Sequence, residues 1–198
     1  WGENSQNEYG GPEDDSNNNQ LTRRWLEEFG GLLGLRKTDL VGLEGIEEKD
    51  LVVYDYPTDE QLKKTGVKGL FLGHYIPWDG LRNVLVSQSY GFRPIEQNIE
   101  TAFINYENLD NYQTGIHDYF KFLKYGFSRA TDVANLFIRR GRISRNEALD
   151  IVKRTDGLFP WSYLGKPIKE IIEPIDISLD QFIDICDRFT NKKLFKTN

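Results

Sequence analysis

Methionine is missing from all 198 residues, and cysteine occurs once. The single thiol, Cys186, excludes an internal disulfide and suits a reducing cytoplasm. That cysteine and two histidines, His74 and His117, give no set with metal-ligand spacing, so no metal site is expected. No apolar run approaches the roughly 20 residues a membrane helix needs, and no signal peptide opens the chain, so no membrane partner is expected. There is no Ser-His-Asp context, no phosphate-loop glycine pattern and no complete nucleic-acid motif. A net charge of −6 also argues against a nucleic-acid partner. Translation starts with methionine, so a chain opening on Trp1 is expected to be part of a longer protein.

What is present is ordinary for a folded domain. Apolar content is 38% and charged content 28%, enough for one real core at this length. Twelve Phe, ten Tyr and four Trp are expected to carry much of the packing. Residues 1–20 hold five carboxylates and no Lys or Arg, and their Gly, Pro and Asn clusters read as an acidic loop. Residues 21–198 read as mostly helical. A helix is expected over 21–33, with Thr22 as its N-cap. Three capping boxes, Thr58 with Gln61, Ser144 with Glu147 and Ser178 with Gln181, place helices at 59–65, 145–155 and 179–190. Gly66 and Gly157 stand where left-handed C-caps belong. Pro77 precedes a further helix at about 78–90. Strand candidates are Leu51–Tyr54 and a stretch within Val67–Tyr75. The fold class is therefore mainly α with one or two short strands.

Residues 114–142 form the most unusual block, two expected helices at 114–125 and 129–140 parted by Gly126. From His117 onward, Lys121, Lys124, Arg129, Arg139, Arg140 and Arg142 face only Asp118 and Asp132, a local charge of +4 with His117 neutral. Such a run can be a solvated helical face. On an acidic chain it is also a candidate site for phosphate or carboxylate. Arg129 and Asp132, at i and i+3, could pair on the helix surface. His117 and Asp118 are neighbours on a helix and should point apart, which argues against a hydrogen-bonded dyad. His74 reads as a packed core or rim histidine, and Cys186 as a small buried side chain.

The same block carries a resemblance. His117-Asp118-Tyr119, Lys121, Lys124-Tyr125-Gly126-Phe127, Arg129-Ala130-Thr131-Asp132 and Arg139-Arg140-Gly141-Arg142 resemble the signature of the N-acetyl sugar amidotransferases. So do Trp1-Gly2-Glu3-Asn4, Glu8-Tyr9-Gly10-Gly11, Phe71-Leu72-Gly73 through Pro77-Trp78-Asp79, and Glu107-Asn108-Leu109-Asp110. The blocks occur in the right order from residue 1 to about Arg142, with weaker similarity beyond. The resemblance implies the C-terminal part of an α/β PP-loop enzyme of the adenine nucleotide alpha hydrolase-like kind. The family's Ser-Gly-Gly-x-Asp-Ser loop occurs nowhere in the sequence, and its N-terminal paired cysteines are missing too.

The resemblance further implies an ATP- and Mg2+-dependent reaction in the cytoplasm. A sugar acetamido group would become an acetamidino group for a bacterial surface polysaccharide or flagellin glycan. A glutaminase subunit would supply ammonia, and the substrate would be a nucleotide-linked or acidic N-acetyl sugar. His117, Asp118 and Asp132 are the implied catalytic group, with Asp132 as an organiser of Arg129 or another cation. Glu3, Asn4, Lys121, Lys124, Arg129, Arg139 and Arg140 are the implied substrate- or anion-binding residues. The 198 residues alone are expected to be inactive. Two other readings stay open. One is a non-catalytic helical module docking the glutaminase, through the acidic loop or Phe159-Pro160-Trp161-Ser162-Tyr163. The other is a distant PP-loop enzyme such as a tRNA thiolase.

Overall fold

The structure, a computed structural model, describes residues 20–29, 35–97 and 99–195, and is 54% helical. The acidic stretch expected over 1–20 lies outside the described residues except for Gln20, as do Glu3 and Asn4. Two compact units are present, one within Trp1–Asp79 and the other spanning Gly80–Asn198.

In the first unit, β1 (Gln20–Leu21) pairs antiparallel with β2 (Gly69–Leu70). Between them lie α1 (Arg23–Phe29), three 3-10 segments (Lys37–Asp39, Leu43–Gly45, Glu48–Tyr54) and α2 (Asp59–Thr65), with α3 (Leu72–Tyr75) following. Thr22 caps α1 as expected, its Oγ1 accepting from the Trp25 N–H at 3.2 Å. The helix starts two residues later than expected because Leu21 is drawn into β1. Trp25 and Phe71, both buried, meet edge to face with centroids 5.0 Å apart and anchor this unit.

The strand expected at Leu51–Tyr54 and the packing expected of His74 both fail here, while the strand within Val67–Tyr75 forms in part. Leu51–Tyr54 is not a strand but the end of a 3-10 segment, closed by the Asp55 N–H on the Val52 carbonyl. Its Val-Val-Tyr run has strand propensity, but propensity without a partner strand does not make a sheet. Only Leu51 is buried, and Val53 is 83% exposed. Within Val67–Tyr75, only Gly69–Leu70 is paired as a strand, and Leu72 begins a helical turn. His74 lies on that turn, exposed and edge-on to Tyr75, rather than packed.

The second unit contains α4 (Gly80–Gln88), α5 (Thr114–Tyr125), α6 (Arg129–Arg139), α7 (Arg145–Thr155), a two-stranded hairpin β3 (Ser162–Tyr163) and β4 (Lys166–Pro167), α8 (Ile168–Ile172) and α9 (Leu179–Phe189). All three capping boxes form, each hydroxyl accepting from the N–H three residues on. Gly126 ends α5 at φ 80°, a conformation that costs a side-chain-bearing residue about 1 kcal/mol or more. Gly66 and Gly157 also have positive φ.

α5 packs on α9 and β3, while α6 packs on α7. The expected helices 114–125 and 129–140 therefore exist, but each is held chiefly by a different partner. Leu123, Ile168, Ile172, Phe182 and Cys186 form one buried cluster, and Ile99, Tyr163 and Ile171 form a second. Ile116 of α5 touches both. α6 presents Ala130, Val133 and Ala134, and α7 presents Ala148, all buried. Small side chains let these two helices approach closely.

The start of α6 is capped from a distance. Ser128 occupies the N-cap but makes no side-chain cap bond. Asp156, just past α7, accepts instead from the Ser128 N–H (2.9 Å), the Ala130 N–H (3.1 Å) and the Thr131 hydroxyl (2.6 Å). The Ser128 hydroxyl donates to the same carboxylate at 2.6 Å. A carboxylate here satisfies orphan donors and complements the helix dipole.

Candidate functional site

The two sides of the α5–α6 turn are joined by crossed ion pairs. Asp118, on α5, is 1% exposed, although it is charged. Arg129, the first residue of α6, donates Nε to Oδ2 at 2.7 Å and Nη2 to Oδ1 at 3.0 Å. This two-pronged geometry suits a planar guanidinium and compensates the burial of the carboxylate. Burial works against the Arg129 charge, but the hydrogen bonds and charge of Asp118 outweigh it, and its pKa lies above the ordinary value. One turn along each helix, the Lys121 ammonium pairs with Asp132.

The i, i+3 pair between Arg129 and Asp132 is thus replaced. Each residue reaches across the turn to α5 rather than along α6. The expectation that His117 and Asp118 point apart also fails. His117 Nδ1 lies 3.1 Å from Asp118 Oδ1. Neighbouring helical residues leave the axis about 100° apart, so the contact depends on both side chains turning toward each other. The His117 side chain is 72% exposed, so its ring reaches from the buried carboxylate into solvent.

A second carboxylate joins this centre. Burial pushes the Glu107 pKa up, while the charges of Arg129 and Arg140 pull it down less strongly. Glu107 stands so close to Gly80 that a Cβ there would collide with its Oε1. Tyr163, 2% exposed, lies under α5, and a Cβ on Gly115 would meet its ring at 2.8 Å. Its hydroxyl donates to the Asn108 carbonyl at 3.2 Å. Burial, as the largest cause, raises the Tyr163 pKa, with Arg129 opposing. Glu107 and Tyr163 were not among the expected site residues. Glu107 lies within a quoted block of the resemblance, and only its burial marks it out.

The remaining cations are spread out. Lys124 is exposed, its Nζ 5.2 Å from the Phe189 ring centroid and 6.0 Å from that of Phe120. Arg142 lies over Phe137 at 5.4 Å, and Arg139 is exposed. The structure brings together His117, Asp118 and Arg129, pairs Lys121 with Asp132, and sets Arg140 within electrostatic reach of Glu107. Among the described residues, no three His, Cys, Asp or Glu side chains gather as a metal site, and no helix is long and apolar enough to cross a membrane. Of the aromatic run 159–163, only Trp161 is largely exposed, at 60%.

A family model described as "LPS biosynthesis protein WbpG-like, C-terminal domain" matches residues 98–198, just over half of the chain and all of the α5–α6 centre. The chain belongs to this WbpG-like family. The match corresponds to a C-terminal part of a sugar amidotransferase family, in agreement with the resemblance carried by His117 to Arg142. Membership of the WbpG-like family makes this a protein of lipopolysaccharide biosynthesis. Among curated proteins, none matches the chain.

Proposed function

We propose that the chain is part of a cytoplasmic, ATP-dependent amidotransferase that replaces the oxygen of a sugar acetamido group with nitrogen. The observation that carries this reading is the WbpG-like match over 98–198, which spans Asp118, Arg129 and their neighbours. The chemistry needs the amide oxygen turned into a leaving group. The overall change consumes an acetamide, ammonia and ATP and yields an amidine, AMP and pyrophosphate, with the amide oxygen leaving on AMP. A nucleotide-linked or acidic sugar is an anion, and the cations of 117–142 suit one.

No Ser-Gly-Gly-x-Asp-Ser loop occurs in these residues, and no metal cluster is seen among the described ones. In this reading ATP and Mg2+ are held elsewhere in the enzyme, and a glutaminase supplies the ammonia. A thiolase reading fits less well. Burial, helped by Asp187, raises the Cys186 thiol to about 11, so it is a poor sulfur nucleophile. A docking role for 159–163 is weakened because Pro160 and Tyr163 are already buried.

The test incubates the full protein encoded by the gene with ATP, Mg2+, an ammonium salt and a panel of nucleotide-linked N-acetyl sugars. The expected result is an amidino sugar by mass spectrometry, with AMP formed in equal amount. AMP-free mixtures and unchanged sugars across the panel would overturn the reading.

A further inference from the structure

Resting on that function, the geometry points to a division of labour: His117 is the proton acceptor of the amidination, and Asp118 and Arg129 are positioning residues that act through it. Asp118 is 1% exposed, too enclosed to touch a substrate itself. Both of its oxygens are engaged by Arg129, at 2.7 and 3.0 Å. An ionised carboxylate only accepts, and a guanidinium only donates. The 3.1 Å approach of His117 Nδ1 to Asp118 Oδ1 is therefore a hydrogen bond donated by Nδ1–H. That tautomer leaves the lone pair on Nε2, at the far end of a ring whose side chain is 72% exposed. The carboxylate thus orients the imidazole and fixes which nitrogen can accept a proton.

The reaction has a step for such an acceptor. When ammonia adds to the activated amide carbon, the new C–N bond leaves a positive charge on the incoming nitrogen. One proton must depart before the carbon–oxygen bond breaks and the amidinium forms. His117 Nε2 takes that proton and returns it to solvent. Lys121 lies one turn further along α5, at i+4, with its ammonium turned to Asp132.

Two measurements test the assignment. In the 198-residue chain, ring-nitrogen NMR reports the tautomer, and His74→Asn assigns the signals because the chain has only two histidines. The expected result is an Nδ1–H tautomer for His117, and a predominant Nε2–H tautomer overturns the proposal. In the full enzyme, His117→Gln should lower kcat by about 10²- to 10⁴-fold, with KM little changed. Added imidazole should restore part of the loss. His117 is exposed, so this variant should fold. Undiminished turnover by His117→Gln beside an active wild type overturns this inference alone. A wild type that forms no amidino sugar overturns the function and the acceptor role together, whatever the tautomer.

Discussion

A charge held away from water is costly unless its partner stays in place, and Asp118 and Arg129 are unequal in this respect. The Asp118 side chain is 2% exposed and that of Arg129 is 20%. Arg129→Ala should therefore destabilise the second unit by about 3–5 kcal/mol in urea titration, the range for a stranded buried ion. Asp118→Ala should cost less, since the orphaned guanidinium can still reach solvent. Equal losses, or none, would show that the pair is not a buried one. Glu107 differs in sign. Its folded pKa is raised mainly by burial, so the protonated form favours the native state and ionisation opposes it. Glu107→Gln should be more stable than wild type at pH 7. The gap should close as pH falls through the folded pKa toward about 4.5, the ordinary carboxylate value. A gap that widened on acidification would contradict this. These residues also mark how far the site could be read in advance. Each of His117, Asp118, Arg129 and Asp132 stood out by type, but their pairing did not. Helical spacing favours Arg129 with Asp132, whereas the turn at Gly126 lets side chains cross between helices that spacing treats separately.

Helix ends were the most legible elements because their determinants are local. A hydroxyl and a Glu or Gln three residues apart suffice to set 59–65 and 145–155, and the structure places those helices at Asp59–Thr65 and Arg145–Thr155. Ser144→Ala and Ser178→Ala should each cost about 1 kcal/mol by thermal or urea unfolding. A cost near zero would mean that the Glu147 or Gln181 half of the box carries the cap alone. The 162–172 segment was missed for the opposite reason. Leu164 and Gly165 turn the β3–β4 hairpin with both φ values positive, at 51° and 77°. Asn-Gly would announce such a turn, and Leu-Gly does not. Ile168, Ile171 and Ile172 then form a short helix although β-branched residues suggest a strand. Burial against α5 and α9 decides the matter. The strand expected at Leu51–Tyr54 fails by the same logic, since only Leu51 gains a buried place.

At the level of the whole molecule, Gly80–Asn198 has both buried clusters and the His117–Asp118–Arg129 centre within itself. Residues 80–198 expressed alone should therefore unfold in a single cooperative step with helical circular dichroism. A spectrum lacking helix would show that this unit depends on residues before Gly80. The mainly helical class was legible from composition, spacing and caps. What could not be read was which helices would be neighbours, because α6 finds α7, and α5 finds α9, through apolar faces that look alike in sequence.

The reach of Asp156 across to Ser128, Ala130 and Thr131 ties the first turn of α6 to the last turn of α7. Those amides lack a partner within their own helix, so they are shielded from deuterium only while α7 is in place. The Ser128 and Ala130 amides should exchange at the rate of α7 opening, not at the rate of a fraying helix end. In Asp156→Asn they should exchange orders of magnitude sooner than the amides at the middle of α6. The entrance to the charged centre would then be timed by a helix that carries none of its residues.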